Sequence, residues 1–557
     1  MVLGAGIMQG PALTIAAEMG LLAVAADADE KAACVNLAGR FEKVDLKDRE
    51  GIETLARSLA EDAENGGLSG IMTAGTDFSA NVAWAAGKLG LPGTSYESAL
   101  NASDKERMRE RFKEAGVPSP EFVIMKAVPE AGSDLPFSWP AVVKPVDNMG
   151  SRGCRRVDNF SELKAAVAEA LKFSRGGRAI VEEYMEGPEF SVDALVYKGE
   201  ITICGFADRH IFFPPYFIEM GHTMPSCRDS GVIQSLLDAF CRGVKALGIT
   251  NSAAKGDIKM TPKGPMIGEI AARLSGGYMS GWTYPYSSGV LPTRGAIEIA
   301  LGKKPTRLQP DWKWTSAERA FTSIPGKVRS IDGVEKARAM PFIKNVFMRA
   351  KTGSTVSFPE NNVSKCGNII SAAAAREEAI LAAENAARSI LIRLEAPNEE
   401  TDSFLSGFCD PTEKTVFPPD AFNIDSRLFG LLSALPESHK LDFSSHPRTE
   451  CRSAETQREI RKQGAGGPHS PSPIPHSLIP FPEFTESGLK DYMGRSIEEC
   501  LCAVRLLTGM ELPPGNPNGN LAEENTSVLG RSFWKAFIRG GYQGAVYYID
   551  SLKAGND

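Results

Sequence analysis

The 557-residue sequence predicts a multidomain chain that opens as α/β and continues as α+β. Three observations lead there. The length exceeds what a single hydrophobic core serves, so three or more domains are expected. Over the first hundred residues, short apolar runs alternate with amphipathic helices, the βαβ rhythm of an open parallel sheet. From Ala317 to Leu394, strand-like runs are followed by a helix of good helix formers, which is α+β texture.

In order, Val2-Leu3 forms a short strand that enters the glycine turn Gly4–Gly10, and an apolar helix covers 11–19. A second strand over 22–26 ends at Asp27 and Asp29, and a helix over 50–64 and a strand over 70–73 continue the alternation. Gly4-x-Gly6 with Asp27 invites a dinucleotide-binding reading, but the third glycine lies one residue too far along for that fingerprint. Gly75-Thr76-Asp77-Phe78 follows the third strand, at the sheet end where open α/β folds gather ligands, so it and Gly4–Gly10 are candidate pocket walls.

Ser103-Asp-Lys-Glu106 has capping-box form and starts a helix that Gly116 and Pro118 terminate. Lys105 then sits in the first turn, where a cation is mismatched to the helix dipole and points to an anionic ligand nearby. Ala141-Val-Val-Lys144-Pro145 reads as a strand with a lysine at its end. The next loop, Asp147-Asn-Met-Gly150-Ser151-Arg152-Gly153, can offer backbone N–H groups to phosphate. It lacks the Gly-Lys-Ser/Thr ending of a P-loop, and a plain hairpin loop before a strand over 154–157 is the alternative. A helix over 160–173, strands over 179–184 and 190–196 joined by Gly187-Pro188-Glu189, and a strand over 200–207 follow. The aromatic stretch 212–222 contains Pro214-Pro215 and reads as a loop, with Glu219 and His222 able to cover a small substrate. A helix spans 232–247.

Residues 255–277 read as a hairpin turning at Thr261-Pro-Lys-Gly264. With the turn centred on Lys263, Asp257 faces Glu269 and Lys259 faces Ile267. Ile258, Met260, Met266 and Ile270 then form a core face, and Asp257, Lys259, Glu269 and Arg273 form the other. Opposed side chains on one face sit roughly 5 Å apart at Cβ, and like charges there are destabilising. The two carboxylates therefore call for a cation: Lys259 or Arg273, or a bound Mg²⁺ completed by phosphate oxygens.

Beyond the hairpin lie the aromatic loop 282–286, strands over 320–324 and 347–350, and a helix over 377–394. After Pro397 the composition shifts. Residues 450–483 are rich in Pro, Ser and Gly and read as linker or disorder, and 489–507 and 532–552 read as helices without evident chemistry. Hydrophobic content of 42%, charge of 24% and a net charge of -7 are globular values that argue against a general nucleic-acid binder. No apolar run reaches membrane length and no charged-then-apolar leader opens the chain, so no membrane partner is expected. Ten cysteines without a Cys-x-x-Cys pair, Cys500 and Cys502 being the closest, suit reduced thiols in a cytoplasmic protein.

Taken together, Lys105, Val-Val-Lys144-Pro, Gly150-Ser-Arg-Gly153, Val-Glu182-Glu183-Tyr184 with Gly187-Pro-Glu189, and Asp257 with Glu269-x-x-x-Arg273 occur in an order that resembles the ATP-grasp ligases over roughly residues 1–395. The resemblance implies a pre-ATP-grasp βαβ domain (1–100), a two-lobed ATP-grasp domain (101–310) and a C-terminal α+β part (311–397); it does not cover the rest, which the composition divides into a linker-rich region (398–485) and a helical tail (486–557). It implies ATP and Mg²⁺ as cofactors, with Mn²⁺ as a substitute. Lys105 and Lys144 would contact phosphates, with Lys144 and Arg273 serving catalysis, and Gly150, Ser151 and Gly153 would close over the phosphates. Glu182, Glu183, Tyr184 and Met185 would form the adenine hinge, Glu189 would bind ribose, and Asp257 and Glu269 would bind metal. Ala271 stands where the family often has a metal-ligating Asn.

Phe217-x-Glu219-x-x-His222-x-x-Pro225 and Arg273-Leu-Ser275-Gly276-Gly277 are most similar to the L-amino-acid ligase branch. By that likeness Glu219, His222, Arg273, Ser275, Gly276 and Gly277 face small-molecule carboxylate and amine substrates, and the protein would ligate the two through an acyl phosphate, with a homodimer among the assemblies the likeness allows. The alternatives are bicarbonate chemistry of the carboxylase or carbamoyl-phosphate type, an NAD-dependent oxidoreductase, and a non-catalytic nucleotide-binding protein.

Overall fold

The computed structural model describes residues 1–130, 135–407, 416–433, 488–508 and 530–554. The first domain is a parallel sheet in the order β3-β2-β1-β4, made of β1 (Val2–Leu3), β2 (Val24–Asp27), β3 (Arg40–Lys43) and β4 (Met72–Thr73). β3 escaped the sequence reading because Arg40-Phe-Glu-Lys43 is a charged, half-exposed edge strand with little apolar signal. The helix Arg49–Glu61 is capped by Asp48, which accepts from the Gly51 N–H at 2.9 Å, and it buries Ile52, Ala56 and Leu59 at helical spacing.

Two further layers face each other. The smaller is an antiparallel sheet in the order β5-β8-β6-β7, with β5 (Phe122–Met125), β6 (Ala141–Pro145), β7 (Arg155–Val157) and β8 (Ala179–Glu183). The helix Phe160–Phe173, capped by Asn159, covers it with Leu163, Ala166, Val167 and Ala170, the i, i+3, i+4, i+7 pattern of one buried face. The larger sheet begins with β9 (Glu189–Tyr197), β10 (Glu200–Phe212), β11 (Ile218–Met224), β12 (Ser252–Thr261) and β13 (Gly264–Ala271). β14 (Thr315–Phe321), β15 (Gly326–Asp332), β16 (Ile343–Met348), β17 (Thr355–Val356), β18 (Gly367–Ala373) and β19 (Leu391–Leu394) follow. Eight of these strands join in the order β13-β12-β9-β10-β11-β14-β18-β16, and a small sheet β17-β15-β19 lies beside them. The helix Ser230–Ala246 seals one face by packing Leu236, Phe240 and Val244 on Ile267 and Ile270.

Several readings of the sequence need correction. Asp257 does face Glu269, but the next pair is Ile258 with Ile267, so Gly268 is the extra residue of a β-bulge. The bulge turns Ile267 into the core, fully buried, and Lys259 meets Met266 instead. The cap of the helix Lys105–Glu114 is Asp104, which accepts from the Glu106 and Arg107 N–H groups; Ser103 ends the preceding helix and bonds back to the Ala99 carbonyl. Residues 218–224 form β11 rather than loop, because both neighbouring strands supply ladder partners. The helix expected over 377–394 ends at Ser389, and its apolar last residues pair as β19 with β15.

At the C-terminus, the helices Ile497–Thr508 and Arg531–Ala554 replace the expected 489–507 and 532–552, and Gly541, at φ 61°, interrupts the second. The described tail is not an appendage. Leu405, Ala536 and Tyr547 share one core with Ile324, Val328 and Ile369, and Asp550 accepts from Arg329 at 3.0 Å and Arg393 at 2.5 Å. The segment 450–483 lies outside the described residues. Among the described residues no helix is long and apolar enough to cross a membrane.

Candidate functional site

A cavity of about 380 Å³ opens between the two sheets. The small sheet supplies Lys144, the loop 148–152 and residues 182–185, and the large sheet supplies Glu189, Arg209, Glu219, Lys255, Asp257 and Glu269. The first domain adds Met8 and Gly75. It is held there by a parallel bridge between Ala74 and Leu274 and by the Gly75 N–H on the Leu274 carbonyl at 3.2 Å.

The floor is a lattice of opposite charges. Lys105 is buried, donates to the Asn148 carbonyl at 2.9 Å and lies 3.9 Å from Glu269. Lys144 pairs with Glu182 at 2.6 Å, and Arg109 holds the other oxygen of Glu182 at 2.8 Å. Arg209 reaches Glu219 at 2.8 Å and Asp257 at 3.1 Å and also touches Glu189. Lys255 pairs with Asp257, whose remaining oxygen accepts from Ser191 Oγ at 2.9 Å.

These contacts set the protonation states. Burial opposes ionisation of Glu269, but the charges of Lys105, Lys255, Lys144 and Arg273 outweigh it and bring its pKa down to about 2. Asp257 is buried too, and Arg209 and Lys255 hold it below the ordinary carboxylate range. Glu219 lies well below that range, because His222 and Arg209 overcome its desolvation. Lys105 is raised despite burial, by Glu269 and Asp77. Asp77 itself shifts upward because desolvation exceeds the pull of Lys105 and Arg273.

The loop at the cavity mouth is poised differently. Among the described residues, the N–H groups of Gly150, Ser151, Arg152 and Gly153 donate to nothing. Asn362 fastens the loop: its N–H donates to the Gly150 carbonyl at 3.0 Å and its Nδ2 to Ser151 Oγ at 3.2 Å. Its Oδ1 accepts from the Glu219 N–H at 2.8 Å, so one side chain ties loop to strand.

The structure brings most of the predicted site residues to one cavity, with exceptions. His222 is fully buried behind Glu219, its Nδ1 3.0 Å from Glu318 and its Nε2 3.6 Å from Glu219, so it backs the wall rather than facing the cavity. Ser275 is buried as well, taking the Ser280 N–H on its hydroxyl, while Gly276 and Gly277 line the cavity. Gly153 sits just behind the lining, against Phe173. The Glu182 carboxylate is consumed by Arg109 and Lys144, and the Glu183 and Tyr184 N–H groups bond to the Glu121 and Pro140 carbonyls at 2.9 and 3.3 Å. That leaves the Met185 N–H without an acceptor among the described residues.

Sequence reasoning missed Arg109, Arg209, Arg349, Asn362 and Lys365. Arg109 was within reach, since it follows Lys105 by four residues on a helix and so shares its face. The others come from strands or turns with no local signal. The glycine turn read as a dinucleotide site is filled by its own chain. Asp27 Oδ2 accepts from the Ala5 N–H at 2.8 Å, Gln9 Oε1 accepts from the Gly6 N–H at 2.9 Å, and Gln9 Nε2 donates to the Ala74 carbonyl.

Asp257 and Glu269 offer two carboxylates, and among the described residues no group of three or more acids, histidines or cysteines is placed to hold a metal. Ala271 adds no donor. The donor set fits a hard cation completed by phosphate and water oxygens, not a cage built by protein.

Comparison with known proteins follows the same lines. An ATP-grasp domain profile matches residues 137–281, and a profile of the L-amino acid ligase C-terminal domain 2 matches residues 319–395. An uncharacterized protein, y4rH, of Sinorhizobium fredii is 24% identical over 332 residues, covering 58% of this chain and 68% of that protein. An L-arginine-specific L-amino acid ligase of Bacillus subtilis is 25% identical over 34% of this chain and 48% of its own length. The solved L-amino acid ligase from Bacillus licheniformis shares the fold, with TM-score 0.61, 22% identity and coverage of 71% of this chain and 98% of that one. Beyond y4rH, the chain spans about half or less of several curated relatives it matches.

Proposed function

From a chain that carries an ATP-grasp domain followed by an L-amino acid ligase C-terminal domain, we propose an ATP-dependent carboxylate–amine ligase that makes an amide between amino-acid-type substrates. The observation that carries this reading is the facing pair Asp257 and Glu269, ionised and ringed by Lys105, Lys144, Lys255 and Arg209. Such a ring suits two anions that must meet. A substrate carboxylate oxygen bonds to the γ-phosphorus of ATP as the γ–β phosphoanhydride bond breaks, giving an acyl phosphate and ADP. An amine nitrogen then bonds to the acyl carbon, the carbon–oxygen bond to phosphate breaks, and the nitrogen sheds a proton.

In this reading Lys105 and Lys144 hold phosphate oxygens, the free N–H groups of residues 150–153 close over them, and the Met185 N–H meets the base. Glu189 binds ribose, Arg273 steadies the transferred group, and Glu219 with Gly276 and Gly277 receives substrate. Asp257 and Glu269 would hold magnesium, which supplies neutralisation of phosphate charge when bound. Preorganised charges of this kind are usually the largest catalytic contribution. The loop 150–153 closing over the cavity mouth would keep water from the acyl phosphate.

The test is phosphate release from Mg-ATP with single amino acids, with pairs, and with bicarbonate. Release that needs a pair and yields a product of dipeptide mass is expected, and Glu269→Gln should abolish ADP formation. Release driven by bicarbonate alone would replace the reading with carboxylase-type chemistry.

A further inference from the structure

One wall of the cavity is built by residues that the proposed reaction does not use. Arg349 follows β16 and Lys365 precedes β18, and the Arg349 N–H bonds to the Cys366 carbonyl at 2.9 Å, so the two side chains enter the cavity from adjacent backbones. Lys365 is only 5% exposed. Its ammonium donates to the Glu219 carbonyl at 2.5 Å, and no carboxylate lies within 4.0 Å of it among the described residues. Arg349 donates to the Asn362 and Val363 carbonyls at 3.2 and 3.4 Å and likewise has no acid partner there.

This contrasts with the floor, where Lys105, Lys144, Lys255 and Arg209 each have an acid. The acid neighbouring this pair, Glu219, is already held by both Arg209 Nε at 2.9 Å and Nη2 at 2.8 Å. Burial moreover lowers the pKa of Lys365. Lys365 is thus a buried cation with no carboxylate in contact, which is costly, and the exposed guanidinium of Arg349 adds a second positive charge near it, so an anion between them offsets both. A guanidinium fork beside one ammonium matches a single carboxylate.

We propose that Arg349 and Lys365 bind a substrate carboxylate that does not react, so that the product keeps a free acid group. This rests on the ligase reading of the same cavity. The non-reacting carboxylate has two possible sources, the amine substrate or a second acid group on the activated substrate.

The experiment measures ADP formation by the full chain from Mg-ATP and amino-acid pairs. The amine is offered as the free acid and as its carboxamide, and the activated acid is offered as aspartate or glutamate and as asparagine or glutamine. The expected result is that one of these amidations raises KM by about tenfold or more, the worth of one charge-assisted pair. Whichever partner shows it is the source. Arg349→Met and Lys365→Met should raise KM for the acid form by a similar factor, leave KM for its amide unchanged and leave KM for ATP unchanged, with partial recovery in Arg349→Lys. A variant that merely disturbs packing would move all three values. ADP formation that is indifferent to both amidations and to both Met variants would overturn the proposal and leave the ligase reading standing. No ADP with any pair would overturn the ligase reading and this proposal with it.

Discussion

Two glycine-rich loops lie near the cavity, and they behave in opposite ways. In Gly4–Gly10, the Gly4, Ala5 and Gly6 N–H groups are taken by the Ala26 carbonyl, Asp27 and Gln9. In Gly150–Gly153 the four N–H groups have no acceptor among the described residues, Gly150 and Gly153 sit at φ 71° and 65°, and Ser151 adopts φ 58°. Both loops look alike as text. Glycine permits a turn, but only unclaimed N–H groups make an anion site. The difference lies in where the acceptors are: the first loop carries its own, in Asp27 and Gln9, while the second is fastened by its carbonyl and hydroxyl oxygens and keeps its donors open.

The sharpest way to break this comparison is to place a negative charge in each loop's working position. Ser151→Asp should weaken ATP binding by about 100-fold, since like charges in juxtaposition cost several kcal/mol. Because the loop is only half-buried, the melting temperature should stay nearly unchanged. Calorimetric titration with an ATP analogue reads this directly, and unaltered affinity would show that the loop does not meet phosphate.

The first loop should answer in stability instead. Gln9→Ala leaves the Gly6 N–H and the Ala74 carbonyl unpaired in a buried setting, a loss of about 1–3 kcal/mol. Denaturant unfolding would measure it. NADH fluorescence should stay silent in both proteins, and a signal appearing in either would return the dinucleotide reading to the first loop.

Much of this was legible beforehand, and the boundary is physical. Helix Phe160–Phe173 was readable to the residue because one cap and one apolar stripe define it. The Asp257–Glu269 pair was readable because a turn sets register, but the bulge at Gly268 was not: an extra residue leaves no mark on the pattern, and it moved Ile267 to the other face. Positions held by distant backbone were hidden for the same reason. His222 looked like a cavity residue until Glu318, nearly a hundred residues on, claimed its Nδ1. Arg349, Asn362 and Lys365 reach the site only because β16 and β18 join the same sheet as β11 through β14. The tail carried no chemical signal because its described residues pack against β14, β15 and β19.

The smallest expected effect tests how the open loop is held. Three bonds of Asn362 join loop to strand: to the Gly150 carbonyl, to Ser151 Oγ and from the Glu219 N–H. Asn362→Ala keeps the first, which is a backbone bond, and removes the other two. Each neutral bond contributes about 0.5–1.5 kcal/mol, and solvent near the mouth replaces part of it, so KM for ATP should rise only about three- to tenfold. Because Oδ1 also steadies the strand that carries Glu219, KM for the amino-acid substrate should rise in step. Equal shifts in both constants are the signature of one side chain serving two subsites. A change confined to ATP would mean that Asn362 serves the loop alone, and the Glu219 N–H would then need no partner beyond water. Asn362→Asp sharpens the contrast: it preserves the acceptor for Glu219 and loses the donor to Ser151, so it should spare the amino-acid constant and raise that for ATP.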